Sequence, residues 1–142
     1  MSVKGKKVLI TGSSHGIGAA SALAFAENGC EVGINYNKNP EGAEETAAKI
    51  RKIGGKAEIF QADVADPAQA EGMVREFIRQ FGGIDILVNN AGGALKIPKG
   101  EFPDMPLEYW DYQIRLNLGA AAYTAHTAIG YMREHSIRGR II

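Results

Sequence analysis

The chain has 142 residues, with 16 Lys and Arg balancing 16 Asp and Glu, and 45% of its side chains are apolar. That length suits one domain, residues 1–142, burying roughly 70% of the surface its unfolded chain exposes, and the charge balance leaves no global field to attract nucleic acid or an anionic membrane surface. A single cysteine, Cys30, excludes an internal disulfide framework, no apolar run reaches membrane-spanning length, and the start MSVKGKKVLITG lacks a signal-peptide core, so a reducing, cytoplasmic setting is expected.

Val8, Leu9, Ile10 and Thr11 form a short β-rich run closed by Gly12. A helical pattern follows, with Ile17, Ala20, Leu23 and Ala24 expected on its apolar face and Asn28-Gly29 ending it. EVGINY (31–36) reads as a strand. Asn39 and Pro40 then fit the N-cap and first position of a helix carrying Ala43, Ala47 and Ile50 inward, and Gly54-Gly55 stops it. KAEIFQADV (56–64) is a third strand. Asp66-Pro67-Ala68-Gln69 resembles a capping box, opening a helix with Ala70, Met73, Val74, Phe77, Ile78 and Phe81 on one side. IDILVN (84–89) is apolar on both faces, the mark of a parallel strand covered by helices above and below. Residues 93–106, rich in Gly, Pro and Lys, suit a surface loop beside a site. A long helix is expected over residues 107–135, with an irregularity near Asn117 and Gly119, followed by Gly139-Arg140-Ile141-Ile142, which reads as the opening of a buried strand. Alternating strands and helices with glycine-punctuated turns predict right-handed βαβ crossovers and an α/β fold built on a doubly wound parallel sheet.

TGSSHGIG (11–18) lies where a strand hands over to a helix, the context that gives a glycine pattern meaning. Gly12 permits a tight turn, Gly16 lets backbone approach a phosphate, and Gly18 allows the helix to pack closely on the strand, while the helix N-terminus offers free N–H donors to the anion. Ser13, Ser14 and His15 can add side-chain donors. An ordinary glycine-rich turn without a ligand is the bland alternative.

The spacing T-G-x-x-x-G-x-G, Asp63-Val64 after the third strand and NNAG (89–92) after the fourth together resemble the short-chain dehydrogenase/reductase family, and the phrases GINYNKNPEGAEE and FGGIDILVNNAGG look most like its 3-oxoacyl-acyl-carrier-protein reductase and glucose dehydrogenase branches. The resemblance implies a Rossmann sheet, with Gly12, Ser14, Gly16, Ile17 and Gly18 around the pyrophosphate and ribose. It implies that Asp63 and Val64 hold adenine, Asp63 by accepting from the exocyclic amine, that Asn89 steadies the central strands, and that Asn90, Ala91 and Gly92 line the ribose side. For Asp63 the alternative is a strand-end carboxylate satisfied by turn amides.

The stretch Asn35-Tyr36-Asn37-Lys38, at the end of the second strand, contains no carboxylate to repel a 2′-phosphate. Lys38 with His15 can attract one, so NADP is expected over NAD; a solvated loop charge is the alternative for Lys38. No metal site is expected. For the reaction, a reductase or dehydrogenase acting on a small-molecule carbonyl or alcohol, the family uses a tyrosine acid, a lysine four residues later, a serine after the fifth strand and an asparagine that Asn117 matches. Tyr36, Tyr109, Tyr112, Tyr123 and Tyr131 all lack a lysine four positions on. The chain is therefore expected to be the cofactor-binding part, its fifth strand cut short, with negligible turnover alone. The alternatives are a non-catalytic nucleotide-binding module or one half of a split enzyme. Self-association, or association with a missing C-terminal half, is expected from the uncovered strand and helix surfaces. A 3-oxoacyl thioester is the first substrate guess; Lys96 and Lys99 in the loop can attract an anionic substrate or be merely solvated.

Overall fold

The computed structural model describes residues 2–93 and 100–142. Lys96 and Lys99 therefore lie outside the described residues.

Five parallel strands form one sheet in the order β3-β2-β1-β4-β5. They are β1 (Lys7–Ile10), β2 (Glu31–Tyr36), β3 (Ala57–Gln61), β4 (Ile86–Val88) and β5 (Arg140–Ile141). The helices between them are α1 (Gly16–Glu27), α2 (Pro40–Lys52) and α3 (Pro67–Phe81), and α4 (Leu107–Ile114), a π-helical turn (Arg115–Gly119) and α5 (Ala120–Glu134) lead on to β5. A 3₁₀ turn (Phe102–Asp104) precedes α4. The expected doubly wound sheet is present, because alternate residues of β1 serve two cores. Val8 and Ile10 join Val32, Ile34 and Ile86 beneath Ala22, Ala26, Ala43, Ala47 and Ile50 of α1 and α2. Leu9 faces the other way, joining Leu87, Ala128, Met132 and the aromatic cluster of Phe60, Phe77 and Phe81 under α3 and α5. Stacked rings of Phe77 and Phe81, 4.5 Å between centroids, fill that second core. Gly33 on β2 makes room for them, since a Cβ there would lie 2.6 Å from the Phe77 ring.

Pro40 follows the Asn39 cap, whose side chain accepts from Gly42 N at 3.1 Å. Helix α3 buries Ala70, Met73, Val74, Phe77 and Phe81, with Ile78 half-buried. Four expectations need correction. The last strand, read as buried, is the sheet's edge strand, paired with β4, and Arg140 and Ile141 are exposed. The buried face of α1 is Gly18, Ala22 and Ala26, while Ile17 is 80% exposed and Ala20 and Ala24 face solvent. Helix α1 is apolar nearly all round, so periodicity carried little information, and its smallest residues won the place against the sheet. The third strand ends its ladder at Gln61, leaving Asp63 and Val64 in the turn beyond. The capping box is half-formed: Asp66 accepts from Gln69 N at 2.9 Å, but the Gln69 side-chain carbonyl accepts from Asp63 N at 3.0 Å instead of reaching back to the cap. The irregularity in the long helix is the π turn spanning Asn117 and Gly119. Among the described residues no helix is long and apolar enough to cross a membrane.

Candidate functional site

The C-terminal ends of the strands, with the turns that follow them, meet in a cleft of about 470 Å³. That size suits a small-molecule ligand. Its floor is the glycine turn after β1. Gly12 and Gly16 both adopt left-handed backbone, with φ of 61° and 57°. Gly12 and Gly18 are hemmed in: a Cβ on Gly12 would lie 2.9 Å from Ala91 Cα, and one on Gly18 would meet Gly12 O and stand 2.6 Å from Asn90 Nδ2. At Gly16 there is open space instead, on the cleft side. His15 caps α1 without a side-chain hydrogen bond to the helix, and the first turn carries no acidic residue. Its N–H donors thus remain for an anion, and the helix dipole favours one there.

The turn is held by hydrogen bonds to four strands' ends. Buried Ser13 donates from Oγ to Ile10 O at 2.8 Å and accepts from Asn35 N at 3.0 Å. Thr11 Oγ1 accepts from Asn90 N at 3.0 Å and Ala91 N at 2.9 Å, tying β1 to the chain after β4. Asn35, 2% exposed, accepts from Gly12 N at 3.0 Å with Oδ1, and its Nδ2 donates to Phe60 O and Ala62 O, each at 3.2 Å. One amide therefore joins the turn to the ends of β2 and β3.

All the residues nominated for the cofactor line this one cleft. Gly12, Ser14, His15, Gly16, Ile17 and Gly18 form its floor and near wall; Ser14 Oγ lies 3.1 Å from His15 Nδ1. Tyr36 ends β2, and Asn37 and an exposed Lys38 follow it. Asp63 and Val64 stand beyond β3, and Asn90, Ala91 and Gly92 beyond β4. The Asn90 side chain is committed within the protein, donating to Thr11 O at 2.9 Å and Gly12 O at 3.0 Å. Asn89 accepts from Thr124 Oγ1 at 2.7 Å, which ties β4 to α5. Asn117 sits on the π turn beside Gly92, outside the residues that line the cleft; its Oδ1 accepts from Gly93 N at 2.8 Å and its Nδ2 donates to Gly93 O and Gln113 O, both at 3.0 Å.

Five lining residues were not nominated as cofactor contacts in the sequence: Asn35, Asn39, Ala62, Tyr112 and Leu116. Asn35 carried a signal, an amide inside the otherwise apolar run VGIN. Tyr112 and Leu116 share a helix face at i, i+4, but nothing local tells which strand end that face meets. The Tyr112 hydroxyl donates to Asp63, 3.2 Å from Oδ2 and 3.4 Å from Oδ1. Burial raises the Tyr112 pKa, and the Asp63 charge and hydrogen bond raise it further. Asp63 also accepts from Ala65 N at 3.0 Å, so a turn amide and the Tyr112 hydroxyl share one carboxylate.

A glycine turn feeding an uncapped helix N-terminus, in a cleft across the carboxyl ends of a parallel sheet, is the arrangement of a Rossmann fold with a nucleotide cofactor site. Comparison with known proteins narrows this. The chain belongs to the short chain dehydrogenase family, whose sequence profile matches residues 6–142. It is 35% identical over 140 residues to L-rhamnose 1-dehydrogenase (NAD(P)(+)) of Sphingomonas sp. strain SKA58, covering 99% of this chain and 54% of that protein. It is 34% identical to glucose 1-dehydrogenase 2 of Bacillus subtilis strain 168, covering 97% and 53%. Among solved structures, a short chain dehydrogenase from Burkholderia cenocepacia J2315 in complex with NADP superposes with a TM-score of 0.85 at 37% identity, over 92% of this chain and 52% of that one. The NADH-dependent reductase A1-R′ complexed with NAD gives 0.85 at 34%, over 94% and 55%. The chain thus spans about half the length of the relatives it matches.

Proposed function

We propose that this chain binds NADP(H) across the carboxyl ends of its strands and forms the cofactor-binding part of an oxidoreductase acting on a carbonyl or alcohol. The observation that carries the reading is the convergence, in one cleft, of the open Gly16 backbone, the free donors of α1 and the strand-end residues of β2, β3 and β4. The pyrophosphate is assigned to the N–H groups of α1, where Ile17, exposed at the mouth, shields it from water. The ribose 2′-phosphate is assigned to the end of β2. There Asn37, Lys38 and His15 offer donors, Tyr36 adds a half-buried wall, and no carboxylate lines the end of the strand to oppose the added charge. Asp63 and Val64 take the adenine, and Asn90, Ala91 and Gly92 border the second ribose. A bound nicotinamide supplies hydride chemistry at a carbonyl carbon. Asn117, the match to the family's catalytic asparagine, is assigned to the reacting end, where its side chain holds Gly93.

None of the chain's tyrosines has a lysine four residues later, so residues 1–142 alone are assigned no general acid; loss of such a group costs about 10²- to 10⁴-fold in rate. A 3-oxoacyl thioester is the first substrate to assay, with aldoses second because two relatives carry aldose names. The test is a fluorescence titration of the chain with NADPH and, in parallel, NADH, followed by a reductase assay. Saturable binding with NADPH preferred and no turnover is the expected result. An NADH preference overturns the 2′-phosphate assignment, and binding of neither overturns the cofactor reading. Normal turnover by this chain refutes the missing-acid argument.

A further inference from the structure

The Tyr112–Asp63 pair lies where a dinucleotide stretched across this sheet must put its base. With the pyrophosphate on α1 and the ribose at the end of β2, the base falls beyond β3, against Asp63 and Val64, opposite Tyr112 and Leu116. Asp63 is held there from three directions. Its backbone N–H donates to Gln69 Oε1, its Oδ1 accepts from Ala65 N, and the Tyr112 hydroxyl, 49 residues away in sequence, donates to the carboxylate. The Tyr112 proton is therefore spent on Asp63, and what the pair presents to the cleft is acceptor capacity: the outer lone pairs of Oδ2 and those of the phenolic oxygen. An edge made only of acceptors welcomes an N–H donor and repels a carbonyl oxygen.

We infer that Tyr112 is a positioning residue which holds the Asp63 carboxylate as an acceptor for the exocyclic amine of the cofactor's purine, and so sets the preference for a 6-amino over a 6-oxo base. The inference rests on the NADP(H) reading above. Without the hydroxyl, the half-buried carboxylate is free to turn toward water, and the cost of ordering it falls on each binding event. A 6-oxo purine sets a carbonyl oxygen where the amine donor would sit and has only its N1–H to offer Asp63, so its affinity depends on Tyr112 less than that of NADPH. Burial and the Asp63 charge keep the phenol protonated, as the donor role requires.

The experiment titrates wild type, Tyr112→Phe and Asp63→Asn with NADPH and with the reduced hypoxanthine analogue of the same dinucleotide, each by fluorescence, with thermal melting as a check on folding. Wild type is expected to prefer NADPH. Tyr112→Phe, which keeps the ring and its packing, should weaken NADPH about threefold to tenfold and the hypoxanthine form less than about twofold. Asp63→Asn, whose amide can donate, should shift the preference toward the hypoxanthine form. Equal weakening of both nucleotides by Tyr112→Phe would reveal a merely structural tyrosine and overturn the inference, as would an unchanged ratio. Where Asp63→Asn shifts the preference and Tyr112→Phe does not, the inference about Tyr112 fails while the base site stands. Where wild type binds neither nucleotide, the cofactor reading falls and this inference with it.

Discussion

Replacing Asn35 by leucine, a side chain of the same branched outline, isolates what one buried amide does for the cofactor turn. Asn35 Oδ1 is the acceptor for Gly12 N–H at 3.0 Å, and Nδ2 donates to Ala62 O and Phe60 O at 3.2 Å and to Tyr36 O at 3.3 Å. Tyr36 O keeps a second partner in Ala62 N, so its loss is small. Gly12 N–H borders the cleft and water can reach it, whereas Ala62 is 2% exposed and its carbonyl is left without a donor. At about 1–3 kcal/mol for each buried polar group left unpaired, and less for the one that water reaches, the change costs roughly 2–4 kcal/mol. Domains of this kind have about 5–15 kcal/mol in hand. The thermal midpoint should therefore fall by roughly 6–15 °C. NADPH affinity should drop further than stability alone explains, because Gly12 loses the bond that fixes its turn. Asn35→Asp separates donor from acceptor. It keeps an acceptor for Gly12 N–H but sets a carboxylate oxygen against three carbonyls, so it should be at least as damaging at neutral pH and recover as acid protonates it. A midpoint for Asn35→Leu within about 2 °C of wild type, with unchanged NADPH affinity, would refute the reasoning.

Gly18→Ala should abolish measurable NADPH binding or weaken it at least about tenfold, since the new Cβ meets backbone at Gly12 O and Ser13 Cα and overpacking of this kind costs about 1–3 kcal/mol; wild-type affinity in the same titration would contradict the close-packing role. Asp85 ties the start of β1 to the strand beside it, accepting from Lys6 Nζ at 2.8 Å and Lys7 N at 3.0 Å. Burial works to raise its pKa, but the bonds from Lys6 and Lys7 prevail and hold it below the ordinary carboxylate value. A depressed carboxylate stabilises the fold above its unfolded pKa, and that stability is lost as pH falls through the folded one. Urea midpoints of wild type and Asp85→Asn should accordingly differ at neutral pH and converge below about pH 4, near the unfolded aspartate value; a constant gap across that range would deny Asp85 the role.

The parts of the fold legible in the sequence are those whose determinants are local. Asn39-Pro40 announces α2 because a cap and a fixed φ act within one turn, and the apolar stripe of α3 announces its buried face because six apolar side chains recur at helical spacing. Helix α1 shows where this fails. Ile17 is the largest apolar residue of its first turn, yet it is 80% exposed, because the sheet approaches so closely at Gly18 that only a hydrogen atom fits between helix and turn. Steric access outranked hydrophobicity there, and the displaced isoleucine became part of the cleft wall. The glycine pattern contained the reason, since a residue required to be glycine for close packing also marks the buried face.

The same argument explains which half of the site could be read. Residues that act through their own backbone, Gly12, Gly16 and Gly18, are visible because their identity is the constraint. Residues that act through a distant partner are not. Gln69 reads as the reciprocal half of a capping box, but its carbonyl goes to Asp63 N, and Asp63 in turn receives the hydroxyl of Tyr112. Each bond replaces a sequence-local partner with one supplied by the crossover from β3 to α3 or by the placement of α4 over the sheet. Asp63 thereby becomes the point where the turn after β3, the cap region of α3 and the face of α4 are joined, a convergence that no window of neighbouring residues contains. Since the half-filled cap of α3 and the committed proton of Tyr112 both serve to hold one carboxylate at the cleft, the departures from local expectation fall on the adenine end of the proposed site, where the fold trades local hydrogen bonding for the fixed placement of an acceptor.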